Sequence, residues 1–150
     1  MNEDKSKVVE FAKGEPFDFL GYTFRLVSKR GAPTKMIVLA RPMKKRRTRF
    51  LHSLQTTLRR CLSTPIEEVV RRVVNPRVRG WVNYFRWGNS GRDLGFVQHK
   101  VDALVRRLAS RQRPKRRGGR SWTSWSVEEL YKTWGLFNDY HVTRRRVPSY

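Results

Sequence analysis

The stretch that decides the fold is NPRVRGWVNYFRWGNS, residues 75–90. Four of its apolar residues recur three and four positions apart, which is the spacing of one buried helix face. They are Val78, Trp81, Val82 and Phe85. The Asn-Pro pair at the start and Gly88 near the end are typical of helix boundaries. The stretch therefore predicts a helix from Pro76 to about Gly88 with one side in a core.

Helical patterns of the same kind precede this stretch. From Met43 onward, apolar residues fall on one stripe and basic residues fall on the opposite side, so we expect an amphipathic helix. The stripe consists of Leu51, Leu54, Leu58, Cys61 and Leu62, and the polar side carries Lys45, Arg49, His52, Arg59 and Arg60. Thr64-Pro65-Ile66-Glu67 has the chemistry of a capping box and predicts a short second helix, which Asn75-Pro76 separates from the third.

Two more helices are predicted after residue 90. Ser90 can cap the longest of them, whose inner face repeats at intervals of three and four residues. That face consists of Leu94, Val97, Val101, Leu104 and Leu108. A second capping box, from Ser126 to Glu129, predicts a short helix that ends near Gly135.

The N-terminal part has a different period. In FDFLGYTFRL, residues 17–26, Leu20, Tyr22 and Phe24 alternate with polar or small residues, as in a half-buried strand. Residues 29–34 have turn chemistry, and 35–40 form a second apolar run of strand length. The sequence thus predicts a mainly α protein: a polar leader (1–14), a short N-terminal β-hairpin (15–42), and a small helical bundle (43–150) with a basic loop (111–120) and an extended C-terminal tail.

The charge is strongly positive. The 150 residues include 34 Lys and Arg against 12 Asp and Glu, a formal charge of +22. Residues 1–28 carry four basic and five acidic side chains, so the excess belongs to the body of the chain. Of the basic residues 24 are Arg, whose guanidinium forks match phosphate oxygens. Because such a density of like charge destabilises a compact state, we predict a nucleic-acid partner, with an anionic membrane surface as the main rival.

Several classes of protein find no support in the sequence. The single Cys61 excludes a disulfide framework, and three scattered histidines lack metal-ligand spacing. The acidic pairs Glu67-Glu68 and Glu128-Glu129 lie in first helical turns, where they complement the helix dipole. With no membrane-length apolar run and no signal peptide, we expect a cytoplasmic protein without a membrane partner, catalytic residue, metal, cofactor or small-molecule substrate.

The candidate RNA contacts are basic and amide side chains of the predicted helices and of the basic loop. They are Lys44, Lys45, Arg46, Arg47, Arg49, Arg59, Arg60, Arg79, Asn83, Arg86, Arg106, Arg107, Arg113, Lys115, Arg116, Arg117 and Arg120. Aromatic residues beside arginines can stack on unpaired bases. Tyr84, Trp87 and Trp122 are the candidates for stacking, whereas the helical phase of Trp81 and Phe85 predicts the core.

Residues 75–90 also carry a family pattern. They resemble the maturase-specific domain of group II intron reverse transcriptases, which reads Asn-Pro, a spacer, Arg-Gly-Trp, one variable residue, Asn-Tyr-Phe and then Gly-Asn. Upstream, FDFLGYTF at 17–24 is similar to the Phe-Leu-Gly-Phe element that closes the palm of those enzymes, with Tyr22 in place of the second Phe. Downstream, GLFNDYHV at 135–142 is similar to their closing segment, so the resemblance spans about residues 15–145.

The resemblance implies that residues 15–42 end a palm and that the helical domain is a thumb-like bundle. Such a bundle grips group II intron RNA and assists its folding and splicing, while the ribozyme performs the chemistry. The Tyr-Ala-Asp-Asp type motif and the endonuclease domain of those enzymes do not occur in these 150 residues. We therefore expect a non-catalytic RNA-binding protein. The alternatives are a complementing subunit or remnant that pairs with a separate reverse-transcriptase palm chain, and a generic chromosomal or ribosomal binder.

Overall fold

A small antiparallel sheet is followed by helices that share one core. The structure, a computed structural model, describes residues 14–112 and 125–143. The strands are β1 (Phe17–Phe19), β2 (Tyr22–Lys29) and β3 (Ala32–Pro42), in the order β1-β2-β3. The helices are α1 (Lys44–Arg59), α2 (Ile66–Val69), a π-helical turn (Val70–Val74), α3 (Asn75–Phe85), α4 (Gly91–Gln112) and a second π-helical turn (Glu129–Thr133). The prediction of a mainly α chain is confirmed.

The N-terminal element is a three-stranded sheet, so the prediction of a simple hairpin was incomplete. Residues 17–26 do not form one strand, because the chain reverses at Leu20-Gly21, where both residues have positive φ (49° and 83°). Leu20, expected on the buried face, is 67% exposed in this turn. A glycine is required at position 21, since an added Cβ would lie 3.3 Å from the Phe85 ring. The reversal lets β1 pair with β2 as a third strand.

The predicted break at Asn75-Pro76 does not exist. The chain is helical without interruption from Ile66 through α3, and Asn75 has a helical φ of −58°. Its N–H donates to the carbonyl of Val70, five residues back, in the wide π turn. Proline lacks an N–H and clashes with the carbonyl four residues earlier, so a wider turn accommodates Pro76 within a helix. The predicted Thr64 cap is also wrong, because the helix begins after Pro65 without a side-chain capping bond.

The core lies between α1, α2 with the π-helical turn that follows it, α3, α4 and residues 125–143. The predicted stripes are largely confirmed: α3 buries all four of its apolar residues, and in α4 only Leu104 is less than fully buried. The buried apolar stripe of α1 is shorter than predicted, because the helix ends at Arg59 and Leu62, which follows it, is 48% exposed.

Residues 125–143, called here the closing segment, cover this core. The Ser126 capping box is confirmed: the Glu129 N–H donates to Ser126 Oγ (3.1 Å), and the Ser126 N–H donates to Glu129 Oε2 (2.8 Å). Trp125, Leu130 and Trp134 of this segment are buried in the core. Arg111 and Gln112 belong to α4, so the predicted loop cannot begin at 111, and its remaining residues lie outside the described part.

Candidate nucleic-acid interface

Exposed cations crowd the start of α1. Lys44, Lys45, Arg46 and Arg49 are all exposed, the first turn contains no acidic residue, and Met43 at the N-cap position makes no side-chain capping bond. A positive side chain in the first turn of a helix is repelled by the helix dipole, so the charges of Lys44, Lys45 and Arg46 do not stabilise the start of α1. Uncapped N–H groups and cations together favour an anion at this end.

Arg47, in the same basic run, points inward. Its Nη1 lies 2.7 Å from Asp93 Oδ1, its guanidinium carbon lies 4.1 Å from the centre of the Phe96 ring, and its side chain is 17% exposed. An RNA contact of Arg47 stays a prediction. The guanidinium nevertheless already has an internal partner, so we assign Arg47 a part in holding the fold.

Asp93 joins three elements. It is 1% exposed, and Arg41 approaches its second oxygen through Nε and Nη2, both at 3.1 Å. Arg41 lies on β3, Arg47 on α1 and Asp93 in the first turn of α4. This network fixes the sheet against both helices.

The end of the 75–90 stretch also holds the sheet. The Asn89 N–H donates to the carbonyl of Ala40 on β3 (2.8 Å), and the Ala40 N–H donates to Asn89 Oδ1 (3.2 Å). Gly88 has a φ of 76°, and a Cβ there would lie 2.8 Å from the Ala40 oxygen. Only glycine permits this approach, so the Gly-Asn pair acts as a clamp on β3.

A groove of about 1240 Å³ lies between the sheet and the first turns of α1 and α4. Four cations line it, together with the acids Asp18 and Asp93: Arg25 and Arg41 from the strands and Lys44 and Lys45 from α1. Sequence reasoning missed both strand arginines. The alternation along β2 predicts that Arg25 lies on the face opposite Tyr22 and Phe24. The face of Arg41 can be assigned only from the strand register, which pairs Arg41 with Thr23 on the same face as Arg25.

Asn75 holds the closing segment. Its Nδ2 donates to the Gly135 carbonyl (2.8 Å), and its Oδ1 accepts the Phe137 N–H (2.8 Å). One turn further on, the exposed Arg79 has its guanidinium carbon 5.8 Å from the centre of the Phe137 ring. The Asn-Pro position thus works in tertiary packing instead of helix capping.

Arg86 and Asn83 differ in exposure. Arg86 is 18% exposed and forms an ion pair with Asp139 of the closing segment at 3.3 Å. Asn83 points to solvent from the outer side of α3. Of these two predicted contacts, Asn83 is the more accessible to a large partner.

The two aromatic candidates within the described residues are partly exposed. Tyr84 is 52% exposed, yet its hydroxyl donates to the carbonyl of Leu20 (2.6 Å) and its own carbonyl accepts the Tyr22 hydroxyl (2.7 Å). Burial, together with the neighbouring Tyr84, raises the pKa of Tyr22. Trp87 is 43% exposed. Tyr84 therefore joins α3 to the sheet, and base stacking by either ring stays a prediction.

Arg106 faces a polar cluster on α4. The Tyr131 hydroxyl donates to Asp102 Oδ1 (2.7 Å) and accepts a bond from Gln98 (3.2 Å). Burial raises the pKa of Asp102, while the bond from Tyr131 and the charge of Arg106 act in the opposite direction. Arg106 is half-buried, and its positive charge favours the charged form of Asp102.

The helical part of the chain matches a known protein family. The family model of the group II intron, maturase-specific domain matches residues 47–134. The chain belongs to this family. The resemblance seen at residues 75–90 is thereby confirmed. A search of curated proteins finds no match.

The match locates the maturase-specific domain relative to the geometry above. It begins at Arg47 and ends at Trp134, so it includes Arg47, Asp93 and Asn75 and leaves the sheet outside. The maturase-specific domain is a non-catalytic region of the reverse transcriptase. Within residues 14–112 and 125–143, no group of three or more His, Cys, Asp or Glu side chains could hold a metal ion. No helix in those ranges is long and apolar enough to cross a membrane.

The predicted RNA contacts divide by accessibility. Arg113, Lys115, Arg116, Arg117, Arg120 and Trp122 lie outside the described residues. The exposed polar candidates are Lys44, Lys45, Arg46, Arg49, Arg59, Arg60, Arg79, Asn83 and Arg107. Arg47, Arg86 and Arg106 are less exposed and engage acids of the protein itself.

Proposed function

We propose that this chain binds structured group II intron RNA in the cytoplasm and, in a thumb-like role, assists its folding and splicing without catalysing a reaction itself. The observation that carries the proposal is the group of exposed cations at the start of α1, in a turn without acids and beside a groove that Arg25 also lines. The family to which the helical domain belongs supports intron RNA as the polyanion.

The binding energy in this proposal comes largely from phosphate neutralisation. Lys and Arg side chains displace counterions from the RNA backbone, so affinity falls as salt rises. If about six phosphates of single-stranded RNA are neutralised, the logarithm of affinity falls against the logarithm of salt with a slope of about −4. A slope near −1 with affinity intact would contradict an electrostatic interface.

The direct test replaces Lys44, Lys45, Arg46 and Arg49 with alanine together. A matched control removes the same charge from exposed positions elsewhere, at Lys29, Arg30, Lys35 and Arg71. We expect the α1 variant to reduce the salt slope by about 0.7 to 0.9 for each phosphate that it no longer neutralises, and the control to change the slope much less. Fluorescence anisotropy with a folded intron RNA measures both, and circular dichroism checks that the helices persist.

Splicing is tested separately with a self-splicing group II intron at limiting Mg²⁺. The protein should raise the splicing rate, and the α1 variant should raise it less than the control variant. Tight binding with an unchanged splicing rate would remove the splicing half of the proposal. Equal affinity for duplex DNA and for structured RNA would instead support a generic nucleic-acid binder.

A second candidate function is pairing with a separate reverse-transcriptase palm chain. The observation that favours it is an apolar area on the sheet, where Met36 and Val38 of β3 are 50% and 51% exposed and Val38 pairs with Leu26. Exposed apolar strands favour partner binding. Met36→Lys with Val38→Lys should abolish capture of a truncated reverse transcriptase, and a protein that captures none before substitution would contradict this function.

A further inference from the structure

An exposed aromatic ring lies among cations on the outer side of α4. Phe96 is 39% exposed, although most apolar residues of this helix lie in the core. The guanidinium carbon of Arg47 lies 4.1 Å from the centre of the Phe96 ring, and Lys100 Nζ lies 5.4 Å from the same point. Phe96 therefore presents an aromatic surface to solvent at a place of high positive charge.

The ring lies next to the cations that are proposed to bind RNA. Arg47 connects it to Asp93, which lines the groove between the sheet and the first turns of α1 and α4. The exposed Lys44, one turn before Arg47 on α1, lines the same groove. An RNA strand that occupies the start of α1 therefore comes close to Phe96.

Two cations flank Phe96 along α4. Arg92 precedes it by four residues and Lys100 follows it by four, so all three share one side of the helix. Both cations are exposed, and within residues 14–112 and 125–143 neither forms an ion pair with an acid. Lysine and arginine side chains neutralise the phosphates of a nucleic acid. The phosphates before and after a nucleotide placed on the ring would each meet a cation.

The surface beside the ring is open. Gly95, the residue before Phe96, has no side chain, and an added Cβ there would meet no atom within 4 Å. Unpaired bases stack on aromatic side chains, and every base offers a flat face, so this contact tolerates many sequences. Sequence-specific RNA recognition also targets unpaired bases, since the major groove of paired RNA is too narrow for side chains. The exposed part of Phe96 thus fits an unpaired base.

We infer that Phe96 stacks on one unpaired base of the bound RNA, while Arg92 and Lys100 contact the phosphates on either side of that nucleotide. This inference rests on the proposed function. The geometry that carries it is an exposed ring in contact with cations, beside the helix start that holds the proposed phosphate contacts. None of these three residues is among the sequence-based candidates.

Phe96 also has a structural role that requires no ligand. The ring packs against the Arg47 guanidinium, and a cation–π contact of this kind stabilises a folded protein by itself. Single exposed apolar side chains are ordinary on protein surfaces. If this were the whole role of the ring, its loss would lower stability and would weaken the binding of all RNA chains equally.

The test compares the affinities of the protein for two chains of equal length, oligouridine and an abasic chain with the same ribose–phosphate backbone. The ratio of these affinities, called here the base ratio, isolates stacking, because both chains offer the same phosphates. Phe96→Leu keeps an apolar side chain beside Arg47 and removes the ring. Phe19→Leu is the matched control, since Phe19 at the end of β1 is 60% exposed. Fluorescence anisotropy measures the affinities.

The ring and the charges should have separate effects. Phe96→Leu should lower the base ratio about tenfold, within the range found when a stacking aromatic is replaced. Its salt slope should not change, because leucine removes no charge. Lys100→Ala should instead reduce the salt slope by about 0.7, the value for one phosphate of a single strand, and keep the base ratio. Phe96→Trp should retain the base ratio, since the indole ring also stacks, and Phe19→Leu should leave it unchanged.

A folding defect cannot produce the same result, because a loss of folded protein lowers both affinities by the same factor and leaves the base ratio unchanged. An unchanged base ratio in folded Phe96→Leu, or an equal reduction in Phe19→Leu, would overturn the inference. If Phe96→Leu does not fold, a base ratio that Phe96→Trp reduces to the same extent as Phe19→Leu would overturn it. A wild type that binds oligouridine but not a folded intron RNA would overturn the proposed function, and the base ratio would still decide whether Phe96 stacks on a base.

Discussion

Asp93 provides the sharpest test of how the sheet is fixed to the helical domain. Asp93→Asn keeps the side-chain volume and removes the charge that Arg41 and Arg47 share. The carboxylate is 1% exposed and lies 2.7 Å from Arg47 and 3.1 Å from Arg41. In the variant, Arg47 remains enclosed at 17% exposure and faces a neutral amide.

The expected cost follows from these exposures. Removing one partner of a buried ion pair costs about 3–5 kcal/mol, because the other charge is left without compensation. Arg41 is 44% exposed and can be solvated, so only Arg47 bears the full penalty. The free energy of unfolding should therefore fall by about 3 kcal/mol, the lower end of that range. For a protein of this size the melting temperature then falls by about 6–12 °C.

Urea unfolding followed by circular dichroism measures the cost. Glu68→Gln is the control, since it breaks an exposed pair with Arg72 on one helix that contributes about 0.5 kcal/mol or less. In a double-mutant cycle, Asp93→Asn with Arg47→Met should cost less than the sum of the single changes, because methionine removes the uncompensated charge. Strict additivity, or a loss of stability no larger than that of Glu68→Gln, would refute the reasoning.

Four further predictions concern the closing segment. Asn75→Ala removes two hydrogen bonds of 2.8 Å and should lower the free energy of unfolding by about 2 kcal/mol, measured in urea, with faster proteolysis of the segment. Tyr131→Phe removes the bond to Asp102 and should cost about 1 kcal/mol, whereas Tyr140→Phe should cost nothing, because the buried Tyr140 hydroxyl has no hydrogen-bond partner among the described residues. Burial also raises the pKa of both tyrosines. The free energy of unfolding should therefore be constant below about pH 10 and should decline above it, because the tyrosines of the unfolded chain ionise first. Tyr140→Phe should make this decline with pH less steep, and an unchanged decline would contradict the prediction. Ser126→Ala breaks the capping box and should cost about 1 kcal/mol in the same urea assay, and a neutral result would show that the box does not stabilise the fold.

The features that sequence reasoning captured are those decided locally. The inner face of α4 follows from spacing alone, because an apolar residue in every turn must be covered. The capping box at Ser126 follows from two side chains three residues apart, which satisfy each other's backbone donors. Neither feature depends on which residues pack against it, so both can be predicted without knowledge of the tertiary structure.

The features that it missed depend on distant residues. Arg46 and Arg47 are adjacent residues of the same type, yet Arg46 is exposed and Arg47 is largely enclosed. The difference comes from Asp93, which follows Arg47 by 46 positions. Pro76 likewise carries a strong local stop for a helix, but the π turn before it keeps the chain helical. Tertiary packing overrides local preference at both sites.

The distribution of acids gives the excess of positive charge its meaning. Only 12 acidic residues accompany 34 basic ones, and several of those described hold elements together instead of covering the surface. Asp93 fixes the sheet, and Asp139 of the closing segment pairs with Arg86. The proposed function assigns the excess of cations, most visible at the start of α1, to an external polyanion. If RNA is that ligand, it binds the folded state and relieves its self-repulsion, so RNA binding and stability should be linked. The ligand should then stabilise the fold by mass action, and added salt should screen the repulsion while it weakens the complex.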